Sequence, residues 1–443
     1  MSPLDPATSG QTSQETEIGS VFVSNYPPYS AWSKDHLRQL QSSLSRAPKL
    51  DRGLGLYVHI PFCRKRCKFC YFKVYTGKNS QEVRTYLDAL LREVELYQEQ
   101  PAFRDRPLKF VYFGGGTPSY LSASQLNDLI DGLRSMTDWR KLEEFSFECE
   151  PGTLTEAKVK TLKEVGVTRL SLGVENFDDE ILSHNGRAHV SQEIYRVLPW
   201  IKAAEFELFN LDLIAGMAGE TEEKWQRTIH ETLAADPDSV TIYQMELPFN
   251  TIYSSSIREA GEHEQFANWQ TKRRWHQWAI EQLGKAGYVR SSAYTMVKAH
   301  KARPFVYRDA LWDGADMMGT GVASFSHVQG VHYQNISNWG EYLDHLDQGL
   351  LPLQRAFVTD EDDQFRRQFI LKLKLGEVDM QPFVDRFGQN PAEQFSEELA
   401  QYEEQGLLVV KKDRIKLTMD GLLRVDSLLP AFYDEAYRGK RYT

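Results

Sequence analysis

The 443-residue chain has only four cysteines, no run of 18 or more apolar residues and no excess of basic charge. Each lack excludes something. A bilayer span needs about 20 consecutive, mostly apolar residues, and no stretch supplies them. The start, Met1 to Glu17, is polar and lacks a basic-then-apolar pattern. The expectation is a soluble cytoplasmic protein, not membrane-spanning, in which disulfides are unlooked for. Acidic residues number 62 against 52 basic, a formal charge of −10. Phosphate binding needs the opposite balance, so nucleic acid is set aside as a main partner. The length suffices for one large domain and a smaller one.

Three of the four cysteines fall in one loop, Cys63, Cys67 and Cys70, spaced C-x3-C-x2-C directly after the strand-like run Leu54 to Pro61. Three thiolates so placed suit three irons of a [4Fe–4S] cluster. No further cysteine is near in sequence, which leaves one iron open for chemistry. Two plainer readings compete. A structural zinc normally takes four ligands, and here only His59 stands near enough to complete the set. A C-x2-C redox pair leaves Cys63 unexplained. Cys149, in Phe-Ser-Phe-Glu-Cys-Glu-Pro, reads most simply as a small buried residue. Arg64, Lys65, Arg66 and Lys68 surround the thiols. They form either a solvated loop or a positive patch that offsets an anionic cluster and docks an acidic electron donor.

Strand-like runs at 55–61, 109–113, 144–150, 169–174, 207–214 and 239–247 alternate with amphipathic helical patterns at 81–98, 123–136, 156–165, 192–204 and 222–234. That alternation predicts a parallel sheet with helices outside. If the sheet curls into a barrel, the active site belongs at the C-terminal strand ends, where the cysteine loop lies. A helix near 269–286, a single strand near 289–296 and the glycine-rich turn Gly319 to Ser326 follow. Beyond residue 359 come helices and a hairpin over Leu407–Leu417, with Lys411-Lys412-Asp413 as its turn. Helices plus a small wing look like a winged-helix module, whose mixed charge favours a lid or packing role over DNA binding. The expected division is a disordered start with an aromatic arm (1–52), a barrel (53–300), a glycine-rich connecting segment (301–358) and the C-terminal domain (359–443).

Phe113-Gly114-Gly115-Gly116-Thr117-Pro118 follows the second strand, where main chain without side chains can approach a ligand closely. Glu148 ends the third strand. Glu175, Arg187 and Asp212 put two acids and an arginine near successive strand ends, which suits a ligand carrying ribose hydroxyls, a carboxylate and a positive sulfonium.

The cysteine motif, with Tyr57, His59, Ile60, Pro61 and Phe62 before it, resembles the radical S-adenosylmethionine (SAM) superfamily. More narrowly it resembles the oxygen-independent coproporphyrinogen oxidase-like (HemN/HemW-like) group, over roughly residues 54–440. The resemblance implies an α/β fold: a partial (β/α)6 TIM-like barrel with a C-terminal helical, winged-helix-like domain. It also implies a [4Fe–4S] cluster on Cys63, Cys67 and Cys70 whose open iron chelates SAM. One electron then cleaves SAM to methionine and a 5′-deoxyadenosyl radical, which abstracts hydrogen from substrate. By the same resemblance Gly115 and Gly116 hold the methionyl amino group, Tyr57 and Glu148 stand at the reacting centre, and Phe69 and Phe325 line the first SAM. Thr117, Glu175, Arg187, Asp212 and Met245 match a second SAM site. Flavodoxin or ferredoxin is the implied electron donor.

Two departures mark this chain. Glutamine is usual where Glu175 stands, and decarboxylating members carry a further cysteine where this chain has Phe72. The leading expectation is therefore a two-SAM, class C-like radical methyl or methylene transfer to a flat, apolar substrate, covered by Tyr26, Tyr29, Trp32 and Tyr253. The alternatives are tetrapyrrole chemistry (propionate decarboxylation or macrocycle opening) and haem carriage through an axial ligand such as His300, His327 or His332.

Overall fold

The computed structural model describes residues 15–20, 22–48, 52–261 and 264–440. Residues 1–14, most of the expected disordered start, and Val21 of the arm lie outside them. Six strands build the barrel wall: β1 (Leu54–Ile60), β2 (Leu108–Gly115), β3 (Glu144–Cys149), β4 (Arg169–Glu175), β5 (Leu208–Ala215) and β6 (Ser239–Gln244). They are parallel and adjacent in chain order. The period of two decides which side chains go where. In β5, Phe209, Leu211 and Leu213 pack outward under helices, while Asn210, Asp212 and Ile214 face the lumen.

Four of the crossover helices start at a side-chain cap. Asn79 and Ser122 form capping boxes for the helices Ser80–Gln98 and Ala123–Met136, and Thr155 and Thr221 cap Glu156–Glu164 and Glu222–Ala235. Such caps are each worth about 1 kcal/mol. They fix the residue at which each of these helices begins and so where the preceding strand-end loop ends.

The sheet continues past both sides of the barrel wall and does not close. Beyond β6 lie β8 (Thr295–Lys298) and β7 (Tyr288–Arg290), antiparallel to each other. A single strand was expected at 289–296. Instead the backbone turns at Ser291 and Ser292, whose hydroxyl and amides bond across the turn to Tyr294 and Thr295. On the other side β9 (Asp316–Thr320) pairs parallel with β1. It is followed by β10 (Phe325–Val328), β11 (Val331–Asn335) and β12 (Leu353–Val358) in antiparallel order. Residues 301–358, expected to be a connecting segment, thus supply four of twelve strands.

The C-terminal residues have their own core. The helix Glu361–Leu373 presents Phe365 and Phe369 to Phe383, Phe395 and Phe432. Burying one such ring contributes about 2 kcal/mol. A three-stranded sheet, β13 (Glu377–Asp379), β15 (Arg414–Leu417) and β14 (Leu408–Val410), forms the wing. The N-terminal arm joins this domain to the barrel. Gly19 donates its amide to the Leu247 carbonyl at 2.8 Å, Val23 donates to Asp426 at 2.9 Å, and Ser33 pairs with Ala356. Residues 15–18, expected to be disordered, are therefore held against the rim beyond β6. No helix among the described residues is long and apolar enough to cross a membrane.

Candidate active site

The cysteine loop is fastened at many points. Tyr75 donates its amide to Pro61 and Cys63 donates to Tyr75, closing the loop base, while Lys68 and Tyr253 donate to Asn185 and Lys68 carbonyls. Most of the expected basic patch serves this fastening. Arg64 pairs with Glu150 at 3.0 Å and Glu193 at 3.5 Å, Lys68 with Glu264 at 3.6 Å, and Arg66 donates to the carbonyls of Cys70 and Asn250. Tyr253, expected over a substrate, is buried beneath the loop with its hydroxyl on Asn185.

The glycine strip after β2 meets the loop base. The Gly116 amide donates to the Ile60 carbonyl at 2.8 Å. A Cβ on Gly116 would lie 2.8–3.0 Å from backbone atoms of Ile60, Pro61 and Phe62. Gly115 has φ +112°, and a Cβ there would enter the His59 ring. These contacts explain glycine at both positions. Thr117 follows, with its hydroxyl 3.4 Å from the Cys63 sulfur.

Strands β3 to β5 bring the expected acids together. Tyr112 donates its hydroxyl to Glu148 at 2.6 Å. Burial, only partly offset by that bond and reinforced by the charge of Asp212, lifts Glu148 to about 7. Burial also raises Glu175 to about 7 against the pull of Arg187, and Asp212 to about 6 against bonds from Ser171 and Asn210. Glu175 sits at a bulge in β4 with φ +65°, a conformation unusual for glutamate, which turns its carboxylate toward Arg187 at 3.6 Å. Arg187 also donates to the Gly173 carbonyl at 2.7 Å and to the Cys67 sulfur at 3.4 Å, and its Nε is buried without a partner.

These groups border one cavity of about 2290 Å³. Tyr57, Phe69, Met245 and Phe325 line it too, so every residue singled out from sequence for the site borders the same space. Tyr29 lies on Phe325 with ring centroids 4.3 Å apart and Trp32 edges it; both line the cavity, whereas Tyr26 is buried against Tyr433 and Tyr437 in the C-terminal core. His327 and His332 stack at 4.5 Å on the cavity wall, and His300 is exposed on the turn after β8.

Sequence reasoning passed over a polar floor: Tyr112, Ser146, Ser171, Asn210 and Thr241. The signal was available, because these alternate with apolar residues along their strands. It also missed Glu150, which takes His189 at 3.0 Å as well as Arg64. Burial alone would raise Glu150; the bond and charge of His189, with Arg187 and Arg64, bring it down to about 2.

A cluster fits this donor set. Burial pushes the Cys63 thiol up to about 11 and Cys70 to about 12, so thiolates here call for a strongly positive centre. No group of three His, Cys, Asp or Glu side chains among the described residues is gathered for a single metal ion; the corners of an iron–sulfur cube lie farther apart and make no such demand. The Arg187 Nε, buried without a partner, belongs to the guanidinium that touches the Cys67 sulfur, where a polar ligand would complete it.

An open α/β barrel with a three-thiol loop after its first strand is the architecture of a radical SAM protein. Residues 57–232 match the radical SAM superfamily model and residues 359–424 the HemN C-terminal domain model. The chain belongs to the HemN/HemW-like group of radical SAM proteins, which carry a [4Fe–4S] cluster and use SAM. It is 28% identical to the heme chaperone HemW of Bacillus subtilis, over 86% of this chain and 99% of that one. It is 27% identical to the oxygen-independent coproporphyrinogen III oxidase of Pseudomonas aeruginosa, over 90% and 88%. The solved coproporphyrinogen III oxidase (HemN) of Escherichia coli superposes with a TM-score of 0.79 at 26% identity, covering 93% of this chain and 96% of that one.

Proposed function

We propose that the protein is a radical SAM enzyme acting on a tetrapyrrole. The observation that carries this reading is the single cavity running from the cysteine loop to the C-terminal domain. At about 2290 Å³ it is well above the roughly 300–1,000 Å³ of ordinary ligand pockets, so SAM and a macrocycle can share it. Tyr29, Trp32 and Phe325 offer flat apolar wall. Arg273 also lines the cavity and offers a cation, its Nε being buried without a partner, whereas Arg424 beside it is held by Asp420 at 2.7 Å. The oxidase relatives support a tetrapyrrole over the radical C-methylation first expected.

In this reading Cys63, Cys67 and Cys70 hold the cluster, which with bound SAM supplies a 5′-deoxyadenosyl radical. The main chain at Gly115 and Gly116 receives the methionyl end of SAM, with Tyr57, Phe69, Glu148 and Phe325 around it. Thr117, Glu175, Arg187, Asp212 and Met245 form the second ligand position. Arg187 fixes Cys67 and Glu175 to each other through one guanidinium. Glu148, close to neutrality in its charge, is placed to hold or release a proton through Tyr112.

A second reading, haem carriage, is favoured by His332, whose Nε2 is buried on the cavity wall without a partner. One experiment tests both. The cluster-reconstituted protein is incubated anaerobically with dithionite and methyl-labelled SAM, and with coproporphyrinogen III or haem in separate vessels. Consumption of one tetrapyrrole in step with 5′-deoxyadenosine supports the enzyme. 5′-Deoxyadenosine with both tetrapyrroles untouched would overturn it. Tight haem binding with little SAM cleavage, lost in His332→Ala, would establish the carrier instead.

A further inference from the structure

The glycine-rich turn Gly319 to Ser326 brings Phe325 to the cavity wall, and the helix Ser80–Gln98 holds that turn from behind. Gly321 has φ +101° and Ala323 φ +60°, values that an alanine keeps only where its surroundings impose them. Two side chains seven residues apart, on one face of the helix, impose them here. Glu93 is fully buried, and among the described residues no cation forms an ion pair with it. Its carboxylate instead accepts from the Gly321 amide at 2.8 Å, the Tyr342 hydroxyl at 2.6 Å and the Asn335 side-chain amide at 2.6 Å. The same Asn335 amide donates to the Gly321 carbonyl and the Ser324 hydroxyl, each at 3.0 Å. Tyr86, also fully buried, donates its hydroxyl to the His59 carbonyl at 2.7 Å and accepts from the Val322 amide at 3.1 Å. One phenol oxygen thus ties the strand that enters the cysteine loop to the turn that carries Phe325. The approach is close: a Cβ on Gly321 would lie 2.3 Å from that oxygen and 2.8 Å from the His59 carbonyl. A buried carboxylate without a cation is a costly way to pack a core, but a fully bonded polar network specifies one arrangement of its parts.

We infer that Glu93 and Tyr86 are positioning residues for SAM. Neither lines the cavity. Through the turn they fix Phe325 relative to the cysteine loop, so that the aromatic wall and the cluster ligands meet one bound molecule as a single rigid unit. Tyr29 and Trp32 hold the Phe325 ring from its other side. Their role rests on the placement of SAM beside Phe325 and does not depend on the tetrapyrrole reading.

The test uses the full-length, cluster-reconstituted protein with SAM as the probe and dithionite as reductant, reading 5′-deoxyadenosine and thermal unfolding. Tyr86→Phe removes one oxygen from a ring that keeps its packing on Phe62 and Trp339. Glu93→Gln puts an amide donor where three donors converge; should it fail to fold, Tyr86→Phe carries the same test. Each is expected to keep its iron and to raise the KM for SAM about five- to tenfold with kcat nearly unchanged, the mark of lost uniform binding. Leu129→Ala, a core truncation in the helix Ala123–Met136, is expected to lower the melting temperature and leave the KM for SAM alone. An unchanged KM in Tyr86→Phe, whatever its melting temperature, would overturn the inference and leave the network to packing. An equal rise in Leu129→Ala would do the same. An unchanged KM in Phe325→Ala would overturn the placement of SAM, and the positioning role with it.

Discussion

Arg187 and Cys67, 120 residues apart in the chain, meet at 3.4 Å, Nη1 to sulfur. The same guanidinium holds Glu175 and the Gly173 carbonyl, so one side chain couples a cluster thiol to the acidic rim. Arg187→Lys keeps the charge and loses the fork that spans three partners. The expected result is retained fold, near-full iron content and SAM cleavage reduced at least about tenfold, the effect of misplacing reactants by an ångström or so. Unaltered cleavage in Arg187→Lys would show that the coupling is incidental.

Substituting Cys63, Cys67 or Cys70 by alanine should each remove most of the bound iron and all SAM cleavage. Cys149→Ala should keep both and cost about 1 kcal/mol of stability, the packing of one buried sulfur. Iron assay and a urea melt separate these outcomes. Iron loss in Cys149→Ala would reopen its role as a ligand.

Gly116→Ala drives a methyl group into the backbone of Ile60, Pro61 and Phe62, the base of the cysteine loop. Backbone cannot rotate aside as a side chain can, so a cost of about 1–3 kcal/mol is expected. SAM affinity should fall with it, measured by equilibrium dialysis on the reconstituted protein. Gly284→Ala, where no atom lies within 4 Å and φ, as at Gly116, is not left-handed, is the control for adding a methyl group without a clash.

Glu148 and Asp212 titrate in the fold at about 7 and about 6, above their ordinary 4.5 and 3.8. Raised acids mean that the native state holds more protons than the unfolded chain. Their contribution is fully present below the unfolded values and is lost as pH rises through 6 to 7. The urea midpoint of the ligand-free protein should therefore fall between about pH 5 and about pH 8, and fall less in Glu148→Gln. Equal falls in both proteins would contradict the assignment of Glu148.

Arg273, with its Nε unpartnered, is expected to recognise carboxylate side chains of the substrate. Arg273→Gln should raise KM for a propionate-bearing tetrapyrrole about tenfold and leave kcat nearly unchanged, the mark of lost uniform binding. A fall in kcat alone would place Arg273 elsewhere in the cycle.

The barrel was legible because β1 to β6 carry long apolar runs separated by helices with polar caps. The thiols were legible from spacing alone. The hairpin of β7 and β8 was not, since its turn residues Ser291 and Ser292 sit inside one Tyr- and Val-rich stretch. β9 to β11 were hidden for a different reason. They are five residues or fewer and bury Thr320, His327 and Gln334, polar residues that read as loop until the neighbouring strands and Arg355 satisfy them, along with His332, which keeps an unpartnered Nε2. Tyr26 and Tyr253 could not be told from substrate-covering aromatics, because burial depends on partners that lie on other elements of the fold. The bond from Arg187 to Cys67 was out of reach for the same reason.

The arm bears on how the molecule is made. Val23 bonds to Asp426, Asn25 to Arg367, and the Tyr26 hydroxyl accepts from the Asp434 amide, contacts that span 342 to 408 residues. On the ribosome the barrel and its thiols are complete long before Asp426 emerges. The arm can seat only once Asp426 and Asp434 have been made, so its contacts are among the last of the fold to form although its residues are among the first translated.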